Sequence, residues 1–300
     1  MTDPAPISDA QLETDEAAEA IVAEPVRKAR PSLPRILAVA NQKGGVGKTT
    51  TTVNLGASLA ELDFRVLVVD LDPQGNATQA LCLARLAAGT PIYDVLVDGV
   101  GMEDAIVPTR TSGVTCIPAS VDLAGAEVEL VSAAGRELRL KEAFEDATLP
   151  ENTIVLLDCP PSLGLLTVNA LTAANELFVP IQAEFYALDG VGQLVRTMEL
   201  VRSALNPSLE ISLVALTMVS DVTTAQARVF DEVKAFFAER LATTTIPRDS
   251  AAHAAPAAGS TVIAFAPESD VAHAYRQLAK ELMAAELVST STGSKNGDKE

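Results

Sequence analysis

The feature that most constrains this sequence is a glycine-rich turn between a strand-like run and a helix-like run. The strand-like run is ILAVAN at residues 36–41, and the turn reads KGGVGKTT at residues 43–50. Glycines allow the backbone to bend tightly and to point several N–H groups at one anion. A helix that starts directly after the turn adds the positive end of its dipole. This order of elements predicts a phosphate-binding loop at the edge of a sheet.

Short apolar runs and helix-period segments alternate along the chain after residue 34. The predicted strands are 36–41, 65–72, 114–119, 153–160, 176–182 and 211–218. The predicted helices are 48–61, 123–146, 164–175, 187–204, 225–241 and 270–286. The strand-like runs are almost continuously apolar, which is typical of parallel strands covered on both faces. We therefore predict an α/β fold with a doubly wound, mostly parallel sheet, helices on both faces, and a ligand site at the carboxyl ends of the strands.

Both ends of the chain differ in composition from the part between them. Residues 1–24 are acidic without any Lys or Arg, residues 27–35 are basic and interrupted by prolines, and residues 289–300 are polar. Such segments bury too little apolar surface to offset the entropy of ordering. We predict disordered tails at 1–33 and 288–300, and one domain at 34–287.

Charge and cysteine spacing exclude several classes of protein. The formal net charge of −18 argues against a broad nucleic-acid-binding surface. Cys82, Cys116 and Cys159 lack the spacing of a disulfide framework or a metal site. The sequence has no apolar run of the ~18 residues that a membrane helix needs, and its acidic beginning is unlike a signal peptide. We expect a cytoplasmic protein that does not associate with a membrane.

The loop residues have expected roles in binding ATP with Mg²⁺. Lys48 is expected to reach the β- and γ-phosphates, and the Thr49 hydroxyl to bind Mg²⁺. The rest of the loop would surround the phosphates with backbone N–H groups; its residues are Lys43, Gly44, Gly45, Val46, Gly47 and Thr50. The usual pattern has glycine five positions before Gly47, where this chain has Gln42, and the chain carries a second lysine at Lys43.

Two predicted strands end in acidic residues. Asp70 and Asp72 follow VLVV, and Asp158 follows IVLL. A buried carboxylate needs a partner, and beside a phosphate-binding loop Mg²⁺ or its bound water provides one. The alternative for each residue is that it caps the next turn. We predict a magnesium site at these strand ends, beside Thr49.

The motifs KGGVGKTT, DLDPQGNAT and LLDCPPSLG, in this order, resemble the deviant Walker A ATPases of the ParA/Soj type. The resemblance extends over roughly residues 34–286. It implies a homodimer that encloses ATP, in which Lys43 contacts the partner's phosphates.

The resemblance also implies roles for single residues. Lys43, Lys48 and Asp72 would be catalytic, with Asp72 positioning the attacking water. Asp158 would support the magnesium ion, in a metal site formed with Thr49 and Asp72. Pro247 and the residues after it, including Asp249, would contact adenine.

Such ATPases partition chromosomes or plasmids by binding DNA non-specifically, and a ParB-like protein activates their hydrolysis. In this chain Val222 and Ala251 replace two arginines that face DNA in the family. We therefore expect weaker DNA binding than is usual, unless residues 27–35 or Arg228, Lys234 and Arg240 compensate. One alternative is a relative that positions another cargo or regulates division through protein contacts alone. A membrane-bound, MinD-like switch is disfavoured because the last predicted helix is mildly acidic.

Overall fold

The structure is a computed structural model that describes residues 34–81, 90–184, 188–220 and 224–285. The predicted tails at 1–33 and 288–300 lie outside the described residues, as do Cys82 and Val222.

The described residues contain seven strands that form one sheet. The strands are β1 (Arg35–Val39), β2 (Arg65–Asp70), β3 (Val107–Pro108), β4 (Val114–Ile117), β5 (Thr153–Asp158), β6 (Glu176–Gln182) and β7 (Glu210–Thr217). Their order in the sheet is β3-β4-β2-β5-β1-β6-β7. All neighbours are parallel except the short β3, which runs antiparallel to β4. All six predicted strands are present, and the predicted fold class is confirmed.

Helices cover both faces of this sheet. They are α1 (Lys48–Ala60), α2 (Asn76–Leu81), α3 (Ile92–Val97), α4 (Met102–Ala105), α5 (Leu123–Glu129), α6 (Arg139–Asp146), α7 (Leu165–Ala173), α8 (Asp189–Ala204), α9 (Thr224–Phe237), α10 (Ser250–Ala257), α11 (Val262–Phe265) and α12 (Asp270–Ala284). The long helix predicted at 123–146 is wrong. A 3₁₀ turn at Leu130–Ser132 and Gly135, whose φ is 67°, separate α5 from α6.

Alternate residues of each central strand enter two different cores. On β1, Ile36 and Ala38 belong to the core under α3 to α9. Leu37 and Val39 belong to the core under α1, α2, α10, α11 and α12. Because β1 lies between β5 and β6, the loop that follows it lies near the middle of the sheet's carboxyl edge. Within the described ranges, no helix is long and apolar enough to cross a membrane.

A buried ion pair joins β1 to β6 at the opposite, amino edge of the sheet. Arg35 Nε and Nη2 each donate to a different Glu176 carboxylate oxygen, both at 2.6 Å. The two side chains are 4% and 0% exposed. Two parallel, charge-assisted hydrogen bonds of this kind hold the strands in one register.

We expect Glu176→Ala to destabilise the protein by about 3 to 5 kcal/mol, because the variant leaves the Arg35 guanidinium buried without its carboxylate. Urea denaturation followed by circular dichroism measures this change. The control is Glu61→Ala, which breaks the more exposed pair between Glu61 and Arg276, and its expected effect is below about 1 kcal/mol. Equal losses in the two variants would contradict the prediction.

Candidate nucleotide site

The glycine-rich loop between β1 and α1 has the backbone of an anion-binding loop. Gly45 and Gly47 have φ values of 75° and 86°, which favour glycine. Val46 is buried between them, and its carbonyl accepts a 2.8 Å hydrogen bond from Thr217 at the end of β7. The loop is therefore fixed to the sheet from both sides, and α1 begins directly after it.

Lys48 is the first residue of α1, and its side chain lines a cleft of about 410 Å³. Its Nζ donates to the carbonyl of Lys43 at 3.3 Å. Burial lowers the pKa of Lys48, and the nearby Asp158 opposes that effect. The cleft is also lined by Gly44, Gly45, Gly47, Thr49, Thr50 and Asp72. An ammonium group among these polar groups suits a phosphate chain.

Asp158 ends β5 near Lys48 and Thr49 and is fully buried, without being one of the residues that line the cleft. Its Oδ1 accepts a 3.0 Å hydrogen bond from Thr52, while its Oδ2 has no hydrogen-bond partner among the described residues. Burial raises the pKa of Asp158 to about 8, and the neighbouring Asp70 adds to the increase. The side chains of Thr49 and Thr52 oppose this increase in pKa. A buried carboxylate whose Oδ2 accepts no well-formed hydrogen bond, close to Thr49 and Lys48, fits a hydrated magnesium ion.

The two acidic residues at the end of β2 have different surroundings. Asp70 is buried next to Asp158 in the strand register, and its Oδ2 accepts from both the amide and the hydroxyl of Thr78 at 2.7 Å. Burial is also the main cause that raises the pKa of Asp70. Asp72 instead lines the cleft, and its Oδ1 accepts from Gln74 N at 2.9 Å. Asp70 therefore fixes the connection between β2 and α2, and Asp72 is the carboxylate of this pair that is available to a ligand.

The Lys43 side chain extends toward Glu184, at the end of β6. Lys43 Nζ lies 3.8 Å from Glu184 Oε2, and Arg248 Nη2 lies 3.2 Å from Glu184 Oε1. Lys43 and Glu184 are about a third and a half exposed. The only contact that the described residues show from Lys43 to the cleft is that of its carbonyl with Lys48. An exposed ammonium held by a weak surface pair can be transferred to another anion at little cost.

A smaller cavity of about 100 Å³ lies beside the loop, next to Gly47 and Thr50. Pro247 and Asp249, the residues expected to contact adenine, line it, and Asp249 also caps α10 by accepting from Ala251 N at 2.7 Å. Tyr275 on α12 completes one wall. Neither Tyr275 nor Glu184 was singled out from the sequence, because each lies far along the chain from the loop it meets.

Comparison with known proteins agrees with this geometry. A family model described as "AAA domain" matches residues 34–211. The chain is similar to the sporulation initiation inhibitor protein Soj of Bacillus subtilis (strain 168), with 47% identity over 83% of this chain and 98% of that protein. It is 46% identical to the chromosome partitioning protein ParA of Caulobacter vibrioides (strain NA1000 / CB15N), over 84% of this chain and 95% of that protein.

Among solved structures, the chain is similar to a cobyrinic acid a,c-diamide synthase from Mycobacterium smegmatis with bound ADP and magnesium. The identity is 40% and the TM-score 0.72, over 83% of this chain and 94% of the other. A phosphate-binding loop, two acidic strand ends and near-full-length similarity to Soj and ParA agree with one another. The chain belongs to the ParA/Soj family of P-loop ATPases.

Proposed function

We propose that this protein binds Mg·ATP, forms a homodimer that encloses the nucleotide, and hydrolyses ATP in a cycle stimulated by a ParB-like protein. This cycle would drive the partitioning of chromosomes or plasmids in the cytoplasm. The observation that carries the proposal is the single cleft in which Lys48, Thr49 and Asp72 meet beside the buried Asp158. We base the cycle on Soj and ParA rather than on the synthase, because both relatives are more similar in sequence.

Each side chain in the cleft has a definite task in this proposal. Lys48 would neutralise charge on the β- and γ-phosphates, and Asp72 would orient the attacking water. Thr49 and Asp158 would hold the magnesium ion, which when bound shields the phosphate charge. The orphaned Asp158 Oδ2 supports this assignment, because it needs a donor such as a metal-bound water.

Lys43 would act on the phosphates of the second copy rather than on its own. In the described structure its ammonium group extends to Glu184 instead of entering its own cleft. A positive charge supplied by a partner subunit at the moment of hydrolysis is comparable to an arginine finger. Hydrolysis would then depend on dimerisation.

The part of the proposal that concerns DNA depends on few basic contacts. Ala251 lies in the first turn of α10, at the position where the family resemblance implies a DNA-facing arginine. Arg228 and Lys234 are exposed on α9 and are the other candidate phosphate contacts. We therefore expect weak DNA binding. Weak DNA binding would favour the alternative function, in which the protein positions a cargo other than DNA or regulates division through protein contacts.

We predict that Ala251→Arg strengthens DNA binding of the ATP-loaded dimer. One added phosphate contact per protomer should steepen the slope of log K against log salt by about 2. Fluorescence anisotropy with a random duplex over a salt series measures this slope, in an Asp72→Ala background that hydrolyses ATP slowly. Ala251→Gln adds a side chain without charge and should leave the slope unchanged. Tight, salt-sensitive binding without the arginine would contradict the weak-binding expectation.

A further inference from the structure

The segment 159–164 links Asp158 to α7. It contributes Pro161 to the lining of the nucleotide cleft, which the glycine-rich loop also lines. The segment is attached to the sheet at its start, where Cys159 N donates to the carbonyl of Val39 at 3.3 Å. Its position near the nucleotide therefore depends on how its other end is held.

That other end is held by Glu127, which projects from α5. Glu127 Oε1 accepts from Leu166 N, in the first turn of α7, at 3.3 Å. Gly164, the residue before α7, has no side chain that could cap the helix. The Glu127 carboxylate takes that place, where the positive end of the helix dipole favours an anion.

The Glu127 carboxylate occupies the space that a side chain on residue 164 would need. A Cβ atom on Gly164 would overlap Glu127 Oε1 and would lie 3.0 Å from its Cδ. The backbone of Gly164 has a φ of −80° and a ψ of −166°, which other residues adopt easily. The Glu127 carboxylate, rather than the backbone conformation, is therefore what a larger residue at position 164 would have to displace.

A hydrogen bond also joins α7 to the segment 159–164. Thr167 Oγ1, on the first turns of α7, donates to the carbonyl of Ser162 at 2.6 Å. Contacts thus run from Glu127 through the start of α7 to Ser162, and Ser162 directly follows Pro161 in the cleft wall. Displacing the start of α7 would displace the wall.

We propose that Glu127 is a positioning residue for ATP hydrolysis. It does not lie among the residues that line the cleft, and it acts by fixing the start of α7 and hence the segment 159–164 against the nucleotide. This inference rests on the proposed ATPase function. The proposal predicts that ATP affinity and turnover respond differently to a change at Glu127. ATP affinity depends on the glycine-rich loop, whereas turnover depends on the placement of the segment 159–164.

The first test compares Glu127→Ala with Glu127→Gln. We expect Glu127→Ala to lower kcat by about tenfold and to leave the Kd for a fluorescent ATP analogue unchanged. Glu127→Gln should keep most of the turnover, because its amide oxygen can still accept from Leu166 N. Glu129→Ala is the matched control on the same helix, since Glu129 contacts Tyr93 rather than α7. A wild-type kcat in Glu127→Ala, or an equal loss in Glu129→Ala, would overturn the proposal.

The second test combines Glu127→Ala with Gly164→Ala. Alone, Gly164→Ala must push Glu127 aside and should lower kcat as Glu127→Ala does. In the double variant the space is free, so the loss should be no greater than in Glu127→Ala. Losses that multiply would show independent effects and would overturn the proposal.

Hydrogen exchange gives a readout that does not depend on turnover. Amides of residues 159 and 162–166 should exchange faster in Glu127→Ala than in the wild type, and Glu127→Gln should resemble the wild type. Unchanged exchange in Glu127→Ala would overturn the positioning role. A wild-type protein that bound ATP without hydrolysing it would instead contradict the proposed function, and the exchange data would still test the contact.

Discussion

Replacing Lys48 with alanine is expected to lower ATP affinity by roughly 10²- to 10⁴-fold. The Lys48 ammonium group is the buried cation that lines the cleft at the start of α1. Each hydrogen bond to a charged group contributes about 1.5 to 3 kcal/mol, so loss of contacts to two phosphates corresponds to a decrease in affinity of roughly 10² to 10⁴. Titration with a fluorescent ATP analogue measures the affinity directly.

The control for this prediction is Lys141→Ala. Lys141 lies on α6 and pairs with the exposed Glu145 at 3.9 Å, so its removal should leave ATP affinity unchanged. Thermal melts with and without ATP would show whether each variant is folded. A folded Lys48→Ala protein that bound ATP within about tenfold of the wild type would exclude the assigned role.

Lys43→Ala is expected to have the opposite profile, with ATP binding retained and hydrolysis reduced by about 10³-fold or more, as for loss of an arginine finger. The reason is that its ammonium group lies beside Glu184 and would contact phosphate only in a second copy. Parallel measurements of ATP affinity and of phosphate release distinguish this profile from that of Lys48→Ala. Normal hydrolysis by Lys43→Ala would show that no charge is supplied by the partner.

Mixing two inactive variants tests whether Lys43 acts between subunits. In a dimer of Lys43→Ala with Asp72→Ala, one site keeps Asp72 and receives Lys43 from the other subunit. Equal mixing should therefore restore roughly a quarter of the wild-type sites. If Lys43 acts within its own subunit, neither site is complete and the mixture should stay inactive.

The sequence predicts the elements of the nucleotide site more completely than their final geometry. The continuous apolar runs and the glycine-rich loop are local signals, and all six predicted strands and helix α1 are present. Local sequence patterns do not distinguish the roles of Asp70 and Asp72, because both residues follow the same apolar run. Their roles separate only when Thr78, on the next helix, donates to Asp70 and leaves Asp72 at the cleft.

Contacts between distant segments account for the features that local patterns miss. Glu184 meets Lys43 because β6 lies next to β1, and Tyr275 reaches the smaller cavity because α12 packs on α1. The break between α5 and α6 has a local cause instead, since Gly135 turns the backbone with a φ of 67°. Glu127 then reaches α7 from a helix that the sequence alone places inside a longer one.

The ion pair between Arg35 and Glu176 has a practical consequence for protein engineering. Arg35 is the first residue of β1 and is also the buried partner of Glu176. A change directly before Arg35 can therefore disturb the ion pair. A shortened protein should start no later than Pro34, and a fluorescent protein fused ahead of Arg35 needs a spacer so that its bulk does not separate the guanidinium from the carboxylate. Fusions that respect this boundary would allow the protein to be followed in living cells without loss of stability.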